Sequence, residues 1–119
     1  MGEIIRIVTN ARRGRAVIHN GTLFVGGQAA DDRSQDIRGQ TEQALGKLDR
    51  VLEEAGSSKL HLLTAQIWLK DIARDFAGMN EVWDAWIDAD TAPARATAQC
   101  EMGAADVLVE IIVTAALSE

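Results

Sequence analysis

The 119-residue sequence has no tyrosine, one proline, one cysteine and two histidines. A lone Cys100 excludes an internal disulfide, and the separated His19 and His61 do not have the spacing of a metal-binding motif. We therefore expect no bound metal and no metal-dependent catalysis. Positive charge is also scarce, since 12 lysines and arginines face 18 acidic residues and the net charge is −6. Nucleic-acid surfaces are basic, so this balance argues against RNA or DNA as a partner.

Long apolar runs are missing as well. No stretch approaches the ~18 to 20 apolar residues that a membrane-spanning helix needs. Residues 1–10 lack the charged and then apolar layout of a signal peptide, so we expect a cytoplasmic protein without a membrane partner. The length suits one domain over residues 1–119, with a single core.

The only proline, Pro93, opens the most informative stretch. It favours extended backbone before it, so the chain is predicted to leave a helical segment and enter a strand here. Strand alternation then gives a polar face and a small apolar face, the latter made of alanines and Cys100. The polar face carries Arg95 and Thr97. An accessible arginine fork suits a carboxylate or phosphate, although a surface ion pair is the simpler interpretation of one arginine.

The remaining pattern predicts an α+β domain. Strands are expected at 4–8, 16–19, 23–27, 60–69 and 107–115, with Asn20-Gly21 closing a hairpin. Helical spacing of apolar residues begins at Ile37 and ends before Gly56, and a second amphipathic helix covers 76–87. The predicted order is ββαβαββ after a leading strand, with two helices on one face of a sheet. The last strand is apolar on both faces, so its second face needs a partner.

No covalent nucleophile is evident in the sequence. Its serines fall in turns or at the chain end, outside any nucleophile motif. Cys100 is expected to be a small buried side chain, because nothing basic beside it would lower its pKa. The tryptophans are expected in the core or in a subunit interface rather than as stacking platforms; they are Trp68, Trp83 and Trp86.

Several segments, in order, resemble the Rid family (reactive intermediate deaminase, also called YjgF or L-PSP). They are Leu23-Phe24-Val25-Gly26-Gly27-Gln28, the helix of residues 40–56, Ile67-Trp68-Leu69-Lys70-Asp71, residues 75–83, Pro93-Ala94-Arg95 followed by Ala96-Thr97, and Asp106 to Ile111. The similarity covers nearly the whole chain.

This resemblance implies a chorismate-mutase-like fold of the bacillary type, assembled as a homotrimer with clefts between subunits. It also implies hydrolysis of enamines and imines to keto acids and ammonia, without a cofactor. Arg95 would hold the carboxylate of the small-molecule substrate, and Thr97 lies where backbone carbonyls could hold the attacking water. The other implied substrate-binding positions are Arg13, Gly27, Asn80 and Glu110. Asn80 has an equally simple interpretation as a polar residue on an exposed helix face.

Two positions depart from the family pattern. Deaminating members carry two glutamates in the last strand; Glu110 matches the first, but Ile112 replaces the second, which helps to place the water. Residues two apart on a strand are ~6.6 to 6.8 Å apart, whereas a general base works at ~2.6 to 3.2 Å or through one water, so Glu110 does not simply inherit the role. Arg13, in the run of Arg12, Arg13 and Arg15, falls where many members have a tyrosine. A solvated basic loop and a second guanidinium for a dianionic ligand are both open interpretations.

The sequence therefore favours an imine hydrolase whose activity is weak. A non-catalytic trimeric binder of small carboxylates or other anions is the alternative, and an endoribonuclease is a weak third because the chain lacks basic charge and a histidine pair.

Overall fold

A computed structural model describes residues 2–118 of the chain. It has six strands and two α-helices among these residues. In chain order they are β1 (Ile4–Thr9), β2 (Gly14–His19), β3 (Thr22–Gln28), α1 (Ile37–Glu54), β4 (Leu62–Leu69), α2 (Ile72–Trp86), β5 (Ala94–Gln99) and β6 (Val109–Ala116). The predicted element order is confirmed.

All six strands belong to one sheet, in the order β1-β2-β3-β6-β4-β5. Neighbouring strands run antiparallel, except that β4 and β5 are parallel. This parallel pair requires a crossover, which α2 provides. Helix α1 contacts β3 and β6, and α2 contacts α1 and β4, so both helices pack on one face. The α+β class with two helices on one face of a sheet is therefore confirmed.

Local sequence signals set the ends of several elements. Asn20 and Gly21 have φ values of 51° and 77°, as a tight hairpin of this twist requires. Asp36 begins α1 by accepting a hydrogen bond from the Gly39 N–H at 2.9 Å. Gly56, with φ of 83°, follows the helix end as expected for a left-handed residue there.

The buried core lies between the helices and one sheet face. In β6 the side chains of Val109, Ile111, Val113 and Ala115 are buried, and the residues between them are half-buried. Strand β4 also alternates, with Ala65, Ile67 and Leu69 toward the helices. The expectation that β4 begins at residue 60 is wrong. Residues Lys59–His61 form a 3₁₀ turn instead, which Ser58 starts by accepting the Leu60 N–H at 3.2 Å.

The face of the sheet opposite the helices, here called the open face, carries large apolar groups. Phe24 of β3 is 49% exposed and Trp68 of β4 is 37% exposed. Ile112 of β6 lies on the same face, as do the exposed alanines of β5. An antiparallel sheet with one solvated face normally places polar residues there. The open face is only partly apolar, because Gln66, Glu110 and Thr114 also lie on it, so the expectation that the last strand is apolar on both faces is wrong. Within residues 2–118, no helix is long and apolar enough to cross a membrane.

Candidate functional site

Arg95 lies near the start of β5, at the edge of the sheet. The chain reaches it through a short 3₁₀ turn, Ala89–Thr91, followed by extended backbone at Ala92 and then Pro93. The guanidinium carbon of Arg95 is 5.4 Å from the centre of the Trp83 ring. Such a distance allows a cation–π interaction. Trp83 is 4% exposed, so its ring is a fixed platform that restricts where the half-buried arginine can lie.

Thr97 and Asn80 lie on the same side of the sheet as Arg95. Thr97 follows Arg95 by two positions in β5, which places its side chain on the same strand face. Its Oγ1 atom is buried and has no hydrogen-bond partner among residues 2–118. Asn80 is half-buried in α2 and lies one helical turn before Trp83. Arg95, Thr97 and Asn80 thus share the helix side of the sheet.

Strand β5 reverses the usual arrangement, because its polar face points toward the helices and its alanine face points away from them. Its register with β4 pairs Arg95 with Ala65 and Thr97 with Ile67, both of which face the helices. The polar residues are thus half-buried, and Ala94, Ala96 and Ala98 are exposed on the open face. The expectation that Cys100 is buried is wrong: it lies just beyond the end of β5 and is only partly covered.

Glu110 and Gly27 form a second group, on the open face. A bulge in β3 between Val25 and Gln28 brings Gly27 opposite the start of β6. The Glu110 side chain lies so close to Gly27 that a Cβ there would overlap its carboxylate. A side chain at position 27 would therefore displace the Glu110 carboxylate from its present position. Trp68 is the neighbour of Glu110 in β4, and both point away from the helices.

Arg13 is exposed in the loop between β1 and β2. Asn10 organises this loop, because its Oδ1 accepts hydrogen bonds from the N–H groups of Arg12 at 2.8 Å and Arg13 at 2.9 Å. The Asn10 N–H in turn donates to the Arg13 carbonyl at 2.8 Å. The loop ends where Gly14 pairs with Thr9.

A single chain does not bring these three groups together. Arg95 and Thr97 face the helices, whereas Glu110 and Gly27 occupy the open face. The loop of Arg13 leads into β2, which is separated from β5 by β3, β6 and β4. At ~4.8 Å per strand step, the two strands lie roughly 19 Å apart. No small ligand could contact Arg13 and Arg95 of the same chain.

A groove of about 500 Å³ lies elsewhere, between α1 and α2. Leu45, Val82 and Trp86 form its apolar part, and an Arg38–Glu81 ion pair of 2.7 Å lies at its rim. None of the predicted site residues lines it.

Two ion pairs outside the candidate site shift the pKa values of residues that form them. Lys47 donates a hydrogen bond to Asp31 at 2.9 Å and holds the pKa of that carboxyl below its usual value. The buried carboxylate of Asp75 accepts two hydrogen bonds from Arg74, at 3.0 and 2.8 Å, and raises the pKa of the arginine.

Sequence reasoning missed Trp83 as a partner of Arg95. The helical periodicity of residues 76–87 correctly predicted that Trp83 is buried. However, the contact joins α2 to a strand that begins after a 3₁₀ turn, and no local pattern reports on such a pair.

Comparisons with known proteins agree on one family. A family model described as Endoribonuclease L-PSP matches residues 5–117. The RutC family protein YoaB of Escherichia coli is 42% identical over 114 residues, covering 96% of this chain and 98% of YoaB. A RutC family protein of Haemophilus influenzae is 37% identical over 113 residues, covering 94% of this chain and 97% of its own length.

Solved structures give the same result. The structure of NMB1025 from Neisseria meningitidis, a member of the YjgF protein family, has a TM-score of 0.95 and 38% identity, covering 98% of this chain and 97% of its own. A Pseudomonas aeruginosa protein described as uncharacterized has a TM-score of 0.94 and 40% identity, covering 98% of this chain and 100% of its own. The chain therefore belongs to the Rid family, also called the YjgF or L-PSP family.

Proposed function

We propose that this protein is a homotrimer that hydrolyses 2-imino acids to 2-keto acids and ammonia in clefts between its subunits. The observation that carries the proposal is the Arg95 guanidinium held over the buried Trp83 ring. A guanidinium so restricted is suited to hold a substrate carboxylate by two parallel hydrogen bonds. Two residues along β5, the buried Oγ1 of Thr97 has no hydrogen-bond partner among residues 2–118, which leaves a polar group with an unused hydrogen bond on the same strand face.

The proposed reaction needs little from the protein beyond positioning. Water adds to the carbon of the C=N bond, and a proton is transferred to the nitrogen. The resulting carbinolamine then releases ammonia and leaves the C=O bond of the keto acid. Because the C=N carbon is already electrophilic, fixing the carboxylate and the water accounts for much of the rate increase. No covalent nucleophile takes part.

The need for a second subunit rests on two features of the chain. The open face exposes Phe24 and Trp68, and burial of apolar surface is worth ~25 cal/mol per Å². In addition, the predicted site residues of one chain lie on opposite faces and at opposite edges of its sheet. We propose that Arg95 of one subunit lines a cleft completed by the segment 13–16 of the next.

A specific observation favours the second candidate, a non-catalytic carboxylate binder. Glu110 is the acid among the proposed site residues, and it lies on the opposite sheet face from Arg95 in the same chain. Ile112, where deaminating members carry their second glutamate, supplies no proton acceptor. A missing general base forfeits a factor of ~10² to 10⁴ in rate, so we expect weak hydrolysis.

RNA cleavage is less well supported, although the matching family model is described as Endoribonuclease L-PSP. The net charge of −6 disfavours an RNA surface. Both histidines also have local partners: His19 lies 3.1 Å from the Asn20 side chain, and His61 lies 3.2 Å from the Ser58 hydroxyl.

The deciding experiment generates a 2-imino acid with an amino-acid oxidase and lets this protein compete with a scavenger for the imine. Wild type is expected to accelerate keto-acid formation weakly but measurably. Arg95→Ala should abolish the acceleration because it removes the group that fixes the carboxylate. Cys100→Ser is the matched control, and it should leave the rate nearly unchanged because no thiolate takes part.

The competing function has a distinct signature in the same experiment. If wild type gives no acceleration, yet a small keto acid binds and Arg95→Ala abolishes that binding, the hydrolase proposal fails. The carboxylate-binding function would then replace it.

A further inference from the structure

We propose that the cleft selects ligands with two anionic groups and that Arg13 binds the second of them. The inference rests on the proposed intersubunit cleft, in which Arg95 holds the first carboxylate. It concerns the class of ligand: a 2-imino or 2-keto acid whose side chain ends in a second carboxylate.

The first observation is an unusual charge cluster. Arg12, Arg13 and Arg15 occupy four consecutive positions with Gly14, in a chain whose net charge is −6. The four salt bridges among residues 2–118 involve Arg33, Arg38, Lys47 and Arg74, and none of the three clustered arginines. Acidic residues are abundant, yet this cluster is left without an ion pair. It is a concentration of positive charge available to an external anion.

The second observation is that the cluster is fixed in place. Both backbone N–H groups of Arg12 and Arg13 donate to the Asn10 side chain, and the Arg13 carbonyl accepts from the Asn10 N–H. Holding like charges near one another is unfavourable, and a loose loop would let them separate. A fixed loop instead lowers the cost of ordering an arginine when it binds an anion.

The third observation separates the two loop arginines, Arg12 and Arg13, from Arg15. Ala16 is buried toward the helices, so alternation places Arg15 on the open face. Arg12 and Arg13 precede this strand, in the loop, and both are exposed. Arg15 also lies close enough to Asp31 to help lower the pKa of that carboxyl. Arg12 and Arg13, by contrast, have no carboxylate within salt-bridge distance among residues 2–118.

Among the proposed site residues, this end of the open face carries one carboxylate, that of Glu110, rather than two. The Arg13 loop lies at the same end of the sheet as the end of β3 and the start of β6. There β6 presents Ile112 rather than a second acid beside Glu110. An acidic side chain at position 112 would repel a second anionic group, whereas isoleucine does not.

The test compares two probes that differ only at the distal group. Binding of 2-oxoglutarate and of 2-oxopentanoate, which has a methyl in place of the second carboxylate, is measured by calorimetry at low ionic strength. The variants are Arg13→Gln, and Arg12→Gln as a control with the same charge change in the same loop. We expect wild type and Arg12→Gln to bind the dicarboxylate roughly tenfold more tightly or better, and Arg13→Gln to lose this preference.

The outcomes separate this inference from the proposed function. Equal binding of the two probes by wild type would overturn the inference about Arg13, and so would a preference for the dicarboxylate that survives in Arg13→Gln. Neither result would contradict the proposed cleft. Binding of 2-oxopentanoate that disappears in Arg95→Ala still supports the cleft. If neither keto acid binds to wild type, the proposed cleft fails and the dianion inference fails with it.

Discussion

The guanidinium of Arg95 lies over the indole ring of Trp83, with 5.4 Å between the guanidinium carbon and the ring centre. Trp83 is itself fixed, because it is buried and its ring centre is 5.5 Å from that of Trp86. An arginine side chain has many rotamers, and ordering them costs free energy when a ligand binds. The indole surface removes part of that cost in advance. The proposed carboxylate site thus extends from β5 into α2.

Trp83→Phe should weaken the binding of a small keto acid by roughly two- to tenfold. Phenylalanine keeps a buried ring but attracts a cation less strongly than tryptophan does. Titration calorimetry with 2-oxopentanoate measures the change. Trp86→Phe is the matched control, because Trp86 instead donates its indole N–H to Asp49 at 3.0 Å and lies 5.3 Å from the Lys59 ammonium. Equal losses in both variants would contradict the specific role of Trp83.

Phe24→Lys should dissociate the proposed trimer. Phe24 is 49% exposed on the open face, opposite Thr114 of β6, so a lysine there is solvated in a free chain. In an assembly that covers this face, the same lysine would be buried without a partner, at a cost of several kcal/mol. Sedimentation velocity should show trimers for wild type and smaller species for the variant. Leu60→Lys, also at a 49% exposed residue but in the 3₁₀ turn, should remain trimeric. A stable wild-type monomer at micromolar concentration would reject the assembly.

Asp31→Asn should reduce stability at neutral pH but not in strong acid. Lys47 lowers the pKa of Asp31 in the folded chain below its ordinary value of 3.8. A lowered carboxyl pKa contributes stability that is present above pH 3.8 and is lost as the pH falls through the folded value. The difference between wild type and variant in denaturant unfolding should therefore shrink in that window. Asp84→Asn, at an exposed position outside the four salt bridges, is the control. A difference that stays constant down to pH 2 would contradict this linkage.

The sequence predicted those parts of the fold that local rules determine. Asn20-Gly21 predicted the hairpin and Gly56 predicted the helix end, because asparagine and glycine adopt positive φ values more readily than other residues do. The alternation in β5 likewise separated Arg95 from the alanines. It did not predict which of the two faces the helices cover, because strand periodicity defines two faces and assigns neither to the core.

The site was less predictable because its parts come from distant segments. The motifs around Arg95, Gly27 and Glu110 indicated the family, and the comparisons confirm it. That Arg95 and Glu110 lie on opposite faces follows from the strand order and the register, which no single motif encodes. The Arg95–Trp83 contact similarly depends on how α2 crosses from β4 to β5.

Ile112→Glu should raise the rate of imine hydrolysis, by up to the ~10² to 10⁴ that a positioned general base contributes. Ile112 is half-buried on the open face of β6, two positions after Glu110, so a glutamate there would reach the proposed cleft from the subunit that contributes the Arg13 loop, not from the one that contributes Arg95. Ile112→Gln is the matched control, since glutamine has nearly the same shape as glutamate but cannot accept the proton of the water. The oxidase-coupled assay measures both variants, with sedimentation to verify that each keeps the wild-type assembly. An increase in Ile112→Glu alone would indicate that the cleft lacks only its base. Equal rates in intact Ile112→Glu and Ile112→Gln assemblies would mean that position 112 does not reach the substrate water.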